Sequence, residues 1–120
     1  MNDMIYNWLR GFPGLELLQI EQADETSGGC GLFFRGVTEK DRRHDLLGSP
    51  QSRKTWRYRL QRFGERAESA VFFLLLGAWA EENPPAPGIA ASLKNARCTR
   101  DEDLGLALWQ ADLEVTGCEP

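Results

Sequence analysis

The residues of this chain able to do chemistry are few and scattered. His44 is the only histidine, and it sits in a charged stretch with no serine or cysteine nucleophile beside it. General acid–base work needs a positioned partner, so His44 reads as a solvated side chain. Cys30, Cys98 and Cys118 show no CxxC spacing. With one histidine they do not assemble the four ligands of a structural zinc site, and they read as reduced thiols or small apolar fillers. Asp101, Glu102 and Asp103 lack the alternating ligands, central glycine and terminal glutamate of a calcium loop. Gly28, Gly29 and Gly31 match neither GxGxxG nor a P-loop and read as a turn leading into a strand. No catalytic residue, metal ligand or cofactor site is therefore expected.

The arginines are the one concentrated chemical feature. Formal net charge is -4, yet nine of the 14 Lys and Arg residues fall within residues 40–66, against three acids there. Arg53, Arg57 and Arg59 alternate with Trp56, Tyr58 and Leu60 along residues 53–63, which makes a strand with one cationic and one apolar face. The aromatics then point to the core and do not stack bases beside the arginines. Arg42, Arg43 and His44 lie near this strand in sequence. A solvated or protein-paired face is favoured over a nucleic-acid surface, and the negative net charge points the same way.

The elements that position these residues follow from periodicity. Residues 4–10 form a short helix capped by Asp3, with Ile5, Trp8 and Leu9 on one face, ended by Gly11, Pro13 and Gly14. Residues 15–23 read weakly as a strand, residues 24–29 as a turn, and residues 30–37 as a strand with Leu32 and Phe34 on one face. A polar loop over residues 38–51 follows, long for so small a domain. Residues 65–83 form the main helix, stopped by Pro84 and Pro85. Val71, Phe72, Leu75, Leu76 and Trp79 share its core face, widened by Phe73 and Leu74. Residues 89–99 and 106–116 are strands joined by a turn over residues 100–105. In the second of these, Trp109, Ala111, Leu113 and Val115 alternate with Gln110, Asp112 and Glu114.

The order α-β-β-β-α-β-β predicts one α+β domain over residues 1–120: an antiparallel or mixed sheet of four to five strands with two helices on one face. Trp56, Tyr58, Phe72, Leu76, Trp79, Trp109 and Leu113 are expected to cluster between helix and sheet. The longest apolar stretch, residues 70–80, is far below the roughly 20 residues of a membrane span. No signal peptide is apparent at the N-terminus, so no membrane partner is expected.

Residues 49–118 resemble a known family in their order of features. A Gly48-Ser49 loop precedes the aromatic-alternating strand, and the main helix ends in AWAEENPPAPG. In that ending Trp79, Glu81 and Glu82 fit a W-x-E-x-x pattern before a proline-bearing loop. The closing strand reads LALWQADLEVTG. This pattern is similar to the minor capsid or tail terminator proteins of bacteriophages and prophages of Gram-positive bacteria. The resemblance implies a non-enzymatic subunit that forms a ring, usually hexameric, on the tail tube and joins it to the head. It implies three partners: further copies of itself, the tail tube protein and a head-completion protein. It also implies a place in the host bacterial cytoplasm during assembly and then in the virion. Arg42, Arg43, His44, Arg53, Arg57, Arg59, Asp112 and Glu114 are the expected protein-interface residues, with cations on one patch and acids on another. The rival from another class is a small nucleic-acid-binding regulator using residues 53–62, and an enzyme with a dispersed site ranks behind both.

Overall fold

The computed structural model of the chain describes residues 1–22, 28–44, 50–101 and 107–118. Its elements are α1 (Asn2–Leu9), β1 (Gln19–Ile20), β2 (Cys30–His44), β3 (Pro50–Gly64), α2 (Arg66–Glu82), β4 (Ile89–Asp101) and β5 (Ala107–Gly117). One mixed five-stranded sheet has the order β1-β2-β3-β5-β4, with only the β1–β2 pair parallel. Both helices pack on the same face of it, as α+β organisation requires. The alternation along β3 holds: Trp56, Tyr58 and Leu60 are buried, and across the ladder they meet Val115, Leu113 and Ala111.

Helix α1 begins earlier than its sequence suggests. Asp3 is not its cap but lies inside the first turn, where a carboxylate still favours the positive helix end. Ile5 and Leu9 are fully buried, and Trp8 stacks on Trp79 with ring centroids 5.1 Å apart. This contact links the two helices.

The expected strand over residues 15–23 is corrected to the two residues of β1. The preceding chain is a run of turns, in which the amides of Phe12, Leu15 and Leu18 each donate to a carbonyl three residues back. That geometry buries Phe12, Leu15 and Leu18 and leaves Leu17 88% exposed. The apolar spacing here is three, not two, which is a turn signal.

The 14-residue polar loop is also corrected. Residues 38–44 continue β2 and residues 50–51 begin β3, so the two strands form a long hairpin; residues 45–49 lie outside the described residues. Charged residues depress strand propensity, which hid the extension. Of the expected turn over residues 100–105, Arg100 and Asp101 belong instead to β4; β5 begins at Ala107, and residues 102–106, with Glu102 and Asp103, lie outside the described residues.

Glu65 caps α2, its carboxylate accepting from the amides of Ala67 and Glu68, each at 3.1 Å. Just before it, a side chain on Gly64 would collide with the Arg62 guanidinium and crowd the Ser69 hydroxyl. The core face of α2 is Ser69, Phe73, Leu76 and Ala80, about 90° from the centre of the expected one. Phe72 and Trp79 are half-buried at its margin, while Val71, Leu74 and Leu75 are 54%, 74% and 56% exposed. The expected cluster is otherwise present: Trp56, Tyr58, Leu76 and Leu113 are core, with Phe72, Trp79 and Trp109 packed against it. Among the described residues no helix is long and apolar enough to cross a membrane.

Candidate interaction surfaces

The face of the sheet away from the helices carries Arg57, Arg59, Asp112 and Glu114. Antiparallel register sets Arg57 opposite Glu114 and Arg59 opposite Asp112. Arg57 Nε lies 3.7 Å from Glu114 Oε1, and Arg59 Nε lies 3.9 Å from Asp112 Oδ1. Strand β4 adds two cations: Lys94 Nζ is 3.1 Å from Glu114 Oε2, and Arg97 Nη1 is 3.6 Å from Asp112 Oδ2. Asn95 Nδ2 also donates to Asp112, and Arg57 Nη1 donates to Thr38 Oγ1 at 2.8 Å.

Sequence reasoning placed the cations and the acids on separate patches available to a neighbour. Within one chain Arg57 pairs with Glu114 and Arg59 with Asp112, because the strands that bear them are adjacent. Each carboxylate here bridges two cations. These side chains are partly exposed, so each pair contributes about 0–1 kcal/mol and is weakened by salt.

Lys94 and Arg97 escaped the sequence reading because strict alternation puts them on opposite faces. A bulge between them, with Asn95 at a φ of 57°, restores them to the same face. Asn is among the few residues that tolerate this left-handed conformation, so Asn95 inside an apolar-polar alternation was the available signal.

Arg53 is exposed at the start of β3. Arg62, at the other end of the basic strand, is on the helix side. Its Nη1 donates to Ser69 Oγ, and its guanidinium sits 4.8 Å from the Phe72 ring centroid. This arginine therefore belongs to the packing of α2. Arg42, Arg43 and His44 lie on β2, with Arg43 opposite Gln51 and His44 opposite Pro50; their side chains fall outside the described part of the structure.

Trp56 and Tyr58 are 5% and 1% exposed. Tyr58 donates its hydroxyl to Asn2 Oδ1 at 2.6 Å, and burial pushes its pKa up to about 12. It is a structural phenol beneath the N-terminus of α1.

The second surface is apolar. Val71, Leu74, Leu75 and Ala78 recur at helical spacing on the side of α2 opposite its core face, and all are exposed. An open groove of about 540 Å³ runs from this row toward β4, lined by Phe73, Leu74, Ala78, Leu93 and Trp109 among others. Trp109 Nε1 is buried there with no hydrogen-bond partner.

The third surface lies on β2, on the helix side of the sheet. A bulge between Phe34 and Gly36, with Gly36 at a φ of 132°, lets Val37 join Phe34 on the helix side of the sheet. There they are 49% and 38% exposed. Pairing of β5 to β3 begins at Lys54, so residues 50–53 of β3 pair only with β2.

Among the described residues no group of three or more His, Cys, Asp or Glu side chains is placed to hold a metal ion. None of the three cysteines forms a disulfide, and Cys30 is buried in the core. Compared with protein-family models and with curated proteins, the chain finds no match in either.

Proposed function

We propose that this chain is a structural subunit of the tail terminator, or tail completion, type. Copies of it form a ring on the end of a phage tail tube and present a surface to the head-completion protein. The observation that carries this reading is the outward row of α2. A helix that is apolar on its core face and again on its opposite face has more apolar surface than one subunit buries. Three large side chains, Val71, Leu74 and Leu75, stand more than half exposed along it. The pattern of residues 49–118, from the aromatic strand through the W-x-E-x-x helix end to the closing strand, supports the narrower assignment. The action is steric: subunits seated on the tube end cover the surface to which the next tube subunit pairs.

The nucleic-acid reading is less well supported. Arg57 and Arg59 face Glu114 and Asp112, and the aromatics beside them in sequence are buried on the other side of the sheet. A phosphate ligand would have to compete with those carboxylates.

The test mixes the protein with tail tubes that lack their own terminator. Electron microscopy should show added density at one tube end, and duplex or single-stranded DNA should bind only weakly at physiological salt. Tight DNA binding that falls with log salt at a slope of roughly -0.9 per phosphate, with bare tube ends, would replace this reading by the nucleic-acid one.

A further inference from the structure

Strand β4 is the last strand of the sheet, and among the described residues no strand pairs with its outer edge over residues 90–94. An edge strand presents a row of backbone N–H and C=O groups to whatever lies beside it. We propose that this edge and the flank of α2 together take an extended peptide of a partner protein. The peptide joins the sheet as an added strand, and apolar and acidic residues alternate along it. Its test uses no tail tube, so it stands or falls apart from the terminator reading.

The groove beside β4 has the shape for a strand. Leu93 and Lys94 point to opposite faces of the sheet, yet both line the groove of about 540 Å³. It therefore reaches the edge of β4 and not only its helix side. Helix α2 packs on β4 more than on any other strand, and a Cβ on Gly77 would stand 3.8 Å from that of Leu93. That approach sets Leu74 and Ala78, both exposed, beside the strand as an apolar wall. A peptide along β4 offers its backbone groups to the edge and every second side chain to this wall. A helical ligand keeps its backbone hydrogen bonds to itself and would leave the edge unpaired.

Charge selects the residues on the peptide's other face. On the side of the sheet away from the helices, Arg57, Arg59, Lys94 and Arg97 meet Glu114 and Asp112, four cations to two carboxylates, a surplus of +2. Lys94 and Arg97 belong to the edge strand itself. Strand β5, on the inner edge of β4, alternates Ala111, Leu113 and Val115 with Asp112 and Glu114. A strand of the same pattern fits the outer edge, because side chains of β4 reach neighbours on both sides. Glu81 lines the groove on the helix side, which disfavours acids there and fixes which face of the peptide turns outward.

A second copy of this chain offering its own β4 is the poorer occupant. Antiparallel pairing of the two edges would set Lys94 and Arg97 against cations of the other copy. The bulge between Lys94 and Arg97 would also interrupt the ladder on both strands.

Fluorescence anisotropy on the full chain tests this with a labelled synthetic decapeptide in which valine alternates with glutamate. It should bind with a Kd of about 10–100 μM and more weakly as salt is raised. The same peptide with lysine in place of glutamate should bind at least about tenfold more weakly. Methylating the backbone nitrogen of every second residue, in each of the two registers, should abolish binding in one of them, because its edge-facing donors are gone. Lys94→Glu should weaken the glutamate peptide at least about fivefold and leave the lysine peptide unweakened. Leu74→Lys, at an exposed position, should weaken the glutamate peptide at least about tenfold. Circular dichroism verifies that both variants keep their fold. No binding up to about 1 mM, equal binding of the two peptides, or indifference to methylation in both registers would overturn the proposal. So would unaltered binding to either variant. Self-association in sedimentation velocity that Lys94→Glu abolishes, with no peptide bound, would assign the groove to a second copy and overturn it too.

Discussion

Leu74 and Leu76 are two residues apart on α2 and identical in composition, but one is 74% and the other 1% exposed. Truncating each to alanine isolates what burial contributes at constant helix propensity. Leu76 packs in the cluster with Phe73, Tyr58 and Leu113. Removing its terminal isopropyl group forfeits three carbon groups of transfer energy at about 0.8 kcal/mol each, and the cavity left behind adds to that. Leu76→Ala should therefore lose about 2–5 kcal/mol, whereas Leu74→Ala should stay within about 0.5 kcal/mol of wild type. Urea unfolding followed by far-ultraviolet circular dichroism reads both values. With a slope of roughly 1–3 kcal/mol per molar for a domain of this size, a 3 kcal/mol loss lowers the midpoint by at least about 1 M. Equal losses at the two positions, or a larger one at Leu74, would refute the placement of the helix face and with it the outward apolar row. The measurement belongs at low protein concentration, where self-association does not protect Leu74.

Other expectations follow from single contacts. Glu65→Ala removes the acceptor for two amides at the start of α2 and should cost about 0.5–2 kcal/mol in the same unfolding assay. A double-mutant cycle on Arg57 and Glu114 should give a coupling of only about 0.2–1 kcal/mol that fades as salt is raised. Burial keeps Tyr58 protonated up to about pH 12 in the folded chain, whereas an unfolded tyrosine ionises near pH 10. Its contribution is thus complete below about pH 10 and is lost between about pH 10 and 12, for a total of about 1–3 kcal/mol. Tyr58→Phe should flatten that part of the stability profile measured by urea unfolding against pH.

What the sequence made legible follows the strength of each local pattern. Along β3 and β5 every second residue is large and apolar, and a period of two admits only one pairing of faces. Trp56, Tyr58, Leu60, Ala111, Leu113 and Val115 were therefore placed correctly from spacing alone. In α2 the stretch Val71 to Leu76 is apolar at every position, so its periodicity is nearly flat. The choice between Leu75 and Phe73 as core was made by contacts distant in sequence. What local pattern could not supply was the Arg62 side chain, which donates to Ser69 on the core face of α2 and lies against the Phe72 ring.

The charged site shows the same division. That Arg57 and Arg59 share a face was legible, and so was the shared face of Asp112 and Glu114. That the two faces are one face was not, because the adjacency of β3 and β5 is a long-range pairing. Nor could alternation foresee the bulge at Asn95 that brings Lys94 and Arg97 into the same ladder.

The central claim, that subunits of this chain stop a tail tube from growing, is most directly tested by tube length. Tail tube protein is polymerised in the presence and absence of this protein, and the lengths are measured by electron microscopy. Added subunits should shorten the distribution in proportion to their concentration and leave tips that do not resume growth when fresh tube protein is supplied. Tubes that lengthen equally with and without the protein, and whose tips elongate freely afterwards, would contradict it.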